Sequence, residues 1–314
     1  MGADNLTCTT EFILVGLTND RETQILFFVI ILVIYLLTLV GNLGVIMLIR
    51  ADSHLHTPMY FFLTHLSSLE ICYVTSTVPQ MLAHLLRGHG GLSLIRCALQ
   101  TNAALALGSA EALLLGVMAY DRYLAICHPL TYATAMGRRR QLELASACWV
   151  GGFYVAVVCV SISFSHRFCG PCYINHFICE IPMVMKLACD DTHTTKAINF
   201  LFAGLVILIP FSVILVSYWL ILFSVLRMRS ASGLRKAFST CGSHLSVVIM
   251  YYGTTTLNYI IPQSGRSPDI DKQIAVLYVV VTPLLNPVIY TLRNKDVHQA
   301  MAKVLRTSGF ALKS

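Results

Sequence analysis

The chain has little charge. Only 12% of its 314 residues are Asp, Glu, Lys or Arg, while 56% are hydrophobic and the mean hydropathy is +0.70. Soluble globular chains carry roughly 25% charge, so a soluble enzyme is excluded as a class. Glycine (19) and proline (10) are neither abundant nor periodic, which removes collagen-like and low-complexity chains. The 11 cysteines are spread along the whole length rather than crowded into a small stapled scaffold. There is no GxSxG turn, no HExxH helix and no glycine-rich phosphate loop, so no hydrolytic, zinc-protease or nucleotide site assembles. Long linkers and internal repeats are also missing, which leaves one helical-bundle domain.

What the sequence has instead is long apolar blocks. A bilayer core of about 30 Å needs roughly 20 mostly apolar residues per helix. Residues 25–49 form a charge-free run of 25, and residues 197–226 one of 30. Further blocks cover 58–86, 97–120, 142–163, 237–261 and 273–292. The expected fold is all-α, an integral membrane bundle of seven spans over 25–292, with an outer tail at 1–24 and a cytoplasmic segment at 293–314.

An odd number of spans puts the two termini on opposite sides, and charge decides which side is which. With the N-terminus outside, the inner segments hold 14 Lys/Arg against 4 Asp/Glu, and the outer segments hold 8 against 9. This is the positive-inside pattern. The net +7 is therefore a membrane-facing fringe and no sign of nucleic-acid binding. The first 24 residues include Asp4, Glu11, Asp20 and Glu22 and lack a basic opening before a short apolar core, so the first span is expected to do the targeting. Asn5-Leu6-Thr7 is a glycosylation acceptor on the translocated side.

Cys169, Cys172, Cys179 and Cys189 fall in an outer segment, where oxidation is favoured, and Cys97 begins the third block. A bridge from Cys97 into that segment would pin it over the bundle, though spacing alone does not set the pairing. Cys72, Cys127, Cys148, Cys159 and Cys241 read as reduced or buried thiols. His176, Cys179 and Glu180 make a weak metal-ligand set. Glu70 and Glu111 stand inside apolar blocks, where a carboxylate is costly and points to an ion, a proton or a hydrogen-bonding role. In MAYDRYLAIC, residues 118–127, Asp121 stands beside Arg122 at the inner end of the third block.

Several such stretches follow in order: Gly41-Asn42, PMYFFLTHLS at 58–67, MAYDRYLAIC, Ser217-Tyr218, KAFSTCGSHL at 236–245 and PLLNPVIYTLRNKD at 283–296. Taken together they resemble the olfactory receptors, a branch of the rhodopsin-like G-protein-coupled receptors, over nearly the whole chain. The resemblance implies a non-enzymatic plasma-membrane receptor of olfactory cilia. It would bind small volatile odorants among membrane lipids and activate an olfactory stimulatory G protein to raise cyclic AMP.

The same resemblance assigns residues. Asp121 and Arg122 match the inner latch, Tyr218 and Tyr290 the internal tyrosines, Asn286 and Pro287 the seventh-helix switch, and Lys236, Ser239 and His244 the inner sixth-helix motif. Glu70, where the family normally has Asp, matches with Asn42, Ser67, Glu111 and Asn286 a sodium-linked polar centre, sodium acting as an allosteric modulator. The alternative is one protonated, hydrogen-bonded carboxyl. The family pattern pairs Cys97 with Cys179 and Cys169 with Cys189, leaving Cys172 surplus, free or competing. A copper-binding loop pattern at His176, Cys179 and Glu180 conflicts with that pairing, and the disulfide is favoured.

For the ligand, steps of three and four down the third helix reach Ala104, Leu105, Gly108, Ser109 and Ala112. By resemblance this face meets Phe202 and Val206 on the fifth span, Tyr252, Thr255, Thr256 and Tyr259 on the sixth, and Ala275 and Val279 on the seventh. Ala104 replaces the acid that amine receptors use, and 273–292 offers no lysine for a retinal Schiff base, so an uncharged, weakly polar volatile is expected. Two rival functions remain at this stage. A transporter or channel would use Glu70 and Glu111 as its pathway, although inverted halves are not evident. A structural scaffold would leave the Asp121–Arg122 latch without a task.

Overall fold

A computed structural model describes residues 11–88, 90–169, 172–227, 231–259, 267–292, 297 and 299–303, with 231–240 and 291–292 as backbone. Long helices dominate because the apolar blocks have no other way to satisfy their backbone in lipid. They are α1 (Arg21–Ala51), α2 (Pro58–Arg87), α3 (Leu94–Cys127), α5 (Arg138–Phe164), α7 (His193–Arg227) and α8 (Ala231–Tyr259). Short helices α4 (Pro129–Ala135) and α6 (Ile181–Val184) lie between them. The last apolar block is interrupted: α9 (Pro268–Val276) passes through a π-helical turn, Leu277–Val281, into α10 (Thr282–Leu292).

Local chemistry sets the helix ends. The Asp20 carboxylate accepts from the Thr23 backbone N–H at 2.9 Å and caps α1, and Ser93 caps α3 through the Arg96 N–H. Pro58 opens α2, where its missing N–H costs nothing, and Gly88 closes it in the left-handed region at φ 78°.

Among the described residues, five helical segments are long and apolar enough to cross a membrane: α1, α3, α5, α7 and the run Pro268–Tyr290. The more polar α2 and α8 pack into the same bundle. Helix α3 occupies the middle, touching α2, α5, α7 and α8. The outward faces of α1 and α7 are apolar, with Val40 69% and Trp219 65% exposed, as lipid contact requires.

One feature was not expected from an all-α reading. Strands β1 (Glu11–Leu14), β2 (Gly90–Ser93) and β3 (Tyr173–Ile174) form a three-stranded sheet in the order β2-β1-β3. Ile13 pairs with Gly91 antiparallel and with Tyr173 in parallel. Phe12 and Leu14 turn inward and pack with Phe168, Ile174, Cys179 and Val184, so this roof has its own apolar core above α3.

Candidate functional site

Beneath the roof lies a cavity of about 510 Å³ between α3, α7, α8 and the short α6. That volume suits a small molecule, and most of the lining is apolar. Eight of the thirteen residues expected at the ligand line it: Ala104, Leu105, Gly108, Ser109, Phe202, Val206, Thr255 and Tyr259.

The other five expected ligand residues stand behind the wall. Ala112 is fully buried, and its carbonyl accepts from Tyr252 Oη at 2.8 Å. That bond, together with packing on Phe211, turns Tyr252 into the helix interface and away from the cavity. Thr256 is half-buried away from the lining, while Ala275 and Val279 are 1% and 0% exposed within the main apolar cluster.

The adjacent Tyr251 lines the cavity instead, and its hydroxyl donates to the Gly108 carbonyl. Tyr251, and not the expected Tyr252, faces this cavity, because neighbours in a helix differ by about 100° in direction and small register differences exchange them. Tyr73, Asn258 and Tyr278 were also missed. Tyr278 and Asn258 both donate to Glu180, which fastens the α6 segment to α8 and to the π-helical turn.

The roof is held covalently. Cys97 bonds Cys179 and Cys169 bonds Cys189, with Cα separations of 5.5 and 5.6 Å. Cys172 is itself disulfide-bonded, so it is neither surplus nor free as the sequence had suggested. Its backbone carbonyl accepts from the Ile13 N–H at 2.8 Å beside the sheet. The metal-loop residues are committed elsewhere: the Cys179 sulfur is in a disulfide, Glu180 accepts from Tyr278 and Asn258, and His176 Nδ1 accepts from the Ile178 N–H at 3.3 Å. Burial holds the His176 pKa below the ordinary imidazole value.

Lower in the bundle, Glu70, Glu111 and Asn286 converge, all nearly excluded from solvent. Asn286 Nδ2 donates to Glu70 and, at 3.5 Å, to Glu111, which brings the two carboxyls to one amide. Asn42 Nδ2 donates to the Pro283 carbonyl at 3.2 Å, while Asn42 Oδ1 and Asn286 Oδ1 are buried without a partner. Ser67 is buried on α2 with no hydrogen bond among the described residues. Pro287 lies against α1, where a Cβ on Gly41 would stand 3.2 Å from its ring.

At the end of α3 farthest from the roof, Asp121 accepts from Tyr132 Oη of α4 at 2.8 Å. The neighbouring Arg122 donates to Met59 Sδ and lies within electrostatic range of Asp121, Tyr218, His244 and Tyr290. Tyr218 Oη and His244 Nδ1 are 2.7 Å apart and join α7 to α8. The side chains of Lys236 and Ser239, and the acceptor Asn5, lie outside the described residues.

A mostly apolar cavity, a buried polar centre and a cluster around a charged pair are thus stacked along one helix bundle. The sequence profile described as Olfactory receptor matches residues 31–308. The chain belongs to the olfactory receptor family. It is 45% identical over 301 residues to Olfactory receptor 5P68 of Mus musculus, covering 96% of each chain. Olfactory receptor 5P76 of the same species is 44% identical over 307 residues, 98% of each, and Olfactory receptor 10T2 of Homo sapiens is 45% identical over 304 residues, 97% of this chain and 96% of that one. As an olfactory receptor it works by binding odorants and signalling through a heterotrimeric G protein in a multi-pass membrane setting, and it is not an enzyme.

Proposed function

We propose that the odorant occupies the 510 Å³ cavity and shifts a population of inactive receptor toward an active one in which α8 parts from α3 near Arg122. The supporting observation is the cavity itself: mostly apolar, with a few polar groups, and bounded by α8, whose far end reaches His244 and the Arg122 cluster. In this reading α2 and α8 complete seven spans with the five longer apolar segments. The N-terminus is outside, the Arg122 end is cytoplasmic, and the membrane is that of the olfactory cilium. Separation of α8 exposes a basic-rimmed groove for an olfactory stimulatory G protein, and cyclic AMP rises.

Glu70 and Glu111 meet at Asn286, and the amide oxygens of Asn286 and Asn42 are buried without a partner, oxygen chemistry that fits a hard cation such as sodium. When bound, sodium would offset the charge of the two carboxyls. Without it, two carboxyls gathered on one buried amide favour retaining one proton between them.

The test is cyclic AMP production in cells co-expressing an olfactory stimulatory G protein, screened against chemically diverse volatiles with surface protein verified. Arg122→Ala should abolish a saturable response at unchanged surface level. A response that survives this substitution would sink the coupling role given to Arg122.

A further inference from the structure

A hydrogen bond at the cavity wall ties α8 to α3. Tyr251, 7% exposed and lining the cavity, donates its hydroxyl hydrogen to the backbone carbonyl of Gly108, another lining residue. One residue further, Ser109 also lines the cavity and is 4% exposed. A serine inside a helix commonly returns its hydrogen to the carbonyl four residues back, as Ser68, Ser212 and Ser246 do here. Ser109 makes no such bond, nor any other among the described residues, so its hydrogen remains available to the cavity. The neighbouring tie from Tyr252 to Ala112 lies behind the wall, beyond a ligand's reach.

Two O–H groups therefore face the same cavity, one unpaired and one resting on a replaceable acceptor. We infer that the agonists of this receptor are neutral carbonyl compounds, ketones or esters, whose oxygen takes the hydrogens of Ser109 and Tyr251 and thereby unties α8 from α3. The inference rests on the reading of this cavity as the odorant site. A carbonyl oxygen has two lone pairs for two donors and brings no hydrogen of its own that would need a partner. An alkane of the same shape fills the apolar wall at Phe202, Val206 and Ile207 yet leaves Tyr251 on Gly108. An anion is poorly suited to this end of the cavity, because Glu111 contributes to the same lining.

The experiment compares medium-chain 2-alkanones and short esters with n-alkanes of equal length, by cyclic AMP in cells with verified surface receptor. The alkanones and esters should be at least about tenfold more potent than the alkanes, as expected for one or two hydrogen bonds. Tyr251→Phe should raise basal cyclic AMP by up to about fivefold, the population shift of one hydrogen bond. Gly253→Ala, next to the tie on an open face with nothing within 4 Å of the added methyl, should leave basal output unchanged. Ser109→Ala should lower alkanone potency about fivefold, and it carries the same test if Tyr251→Phe fails to reach the surface.

Alkanes as potent as alkanones, or activation confined to alcohols or amines, would overturn the inference while leaving the receptor reading intact. A surface-expressed Tyr251→Phe with wild-type basal output would do the same. Failure of the receptor reading looks different: no volatile acts on the wild-type chain, and Tyr251→Phe gives no more cyclic AMP than Arg122→Ala.

Discussion

His176 is 1% exposed, and its ring stacks on Phe177 with centroids 4.8 Å apart. Burial is the main influence on its pKa, keeping it below the ordinary 6.5. Glu180 and Asp271 pull upward and Lys272 adds to the depression. The folded ring thus stays neutral where an unfolded one would take up a proton. Because the unfolded segment binds more protons, stability of this segment is greatest above about pH 6.5 and declines as pH falls below it. Hydrogen-exchange protection across residues 173–184, taken relative to the intrinsic exchange rate at each pH, should fall between about pH 7.5 and about pH 5.5 in the wild-type chain, and His176→Phe should flatten that dependence. An equal loss of protection in both would assign the effect to another group. Single residues were the least legible scale in the sequence. Glu70 and Glu111 stood out because a carboxylate in an apolar block is conspicuous, whereas Tyr251 and Tyr252 are indistinguishable until the helix has a fixed rotation.

Helix α5 approaches α3 until backbone meets backbone. A Cβ placed on Gly152 would stand 2.4 Å from the Ala106 carbonyl oxygen and 2.7 Å from the Ala110 nitrogen, neither of which can swing aside. Gly152→Ala should therefore cost about 1 to 3 kcal/mol by overpacking, read as a lower melting temperature of detergent-solubilised receptor and reduced surface display. Gly204→Ala, with nothing within 4 Å, is the matched control and should lose nothing. Parity between the two would mean that α5 can slide on α3. Elements were the most legible scale: the charge-free runs at 25–49 and 197–226 lie within α1 and α7, since length and apolarity alone specify a lipid-spanning helix. The sheet was not legible. Its strands have four, four and two residues, and the inward Phe12 and Leu14 sit in an acidic stretch too short to show a period of two.

At the scale of the molecule, the uneven distribution of basic residues is expected to set which way the bundle crosses the bilayer. Arg138, Arg139 and Arg140 begin α5, with side chains at 139 and 140 largely exposed and paired with Glu143. Replacing all three by Gln should produce a fraction of inverted chains, detected as a C-terminal epitope that reaches the outer face of intact cells. Absence of that signal would show that the remaining charges suffice. The cavity as a volume was not readable from the sequence, although eight of its lining positions were, because helical spacing gives a face but not how far apart two faces stand. The roof also has a practical bearing on how this protein is handled. Since β1 is the middle strand, bonded on both sides, residues 11–14 hold the other two strands of the roof together above the cavity. A label inserted within that strand would break both pairings at once, so an epitope for counting surface receptors belongs ahead of it, on the side proposed to face outward.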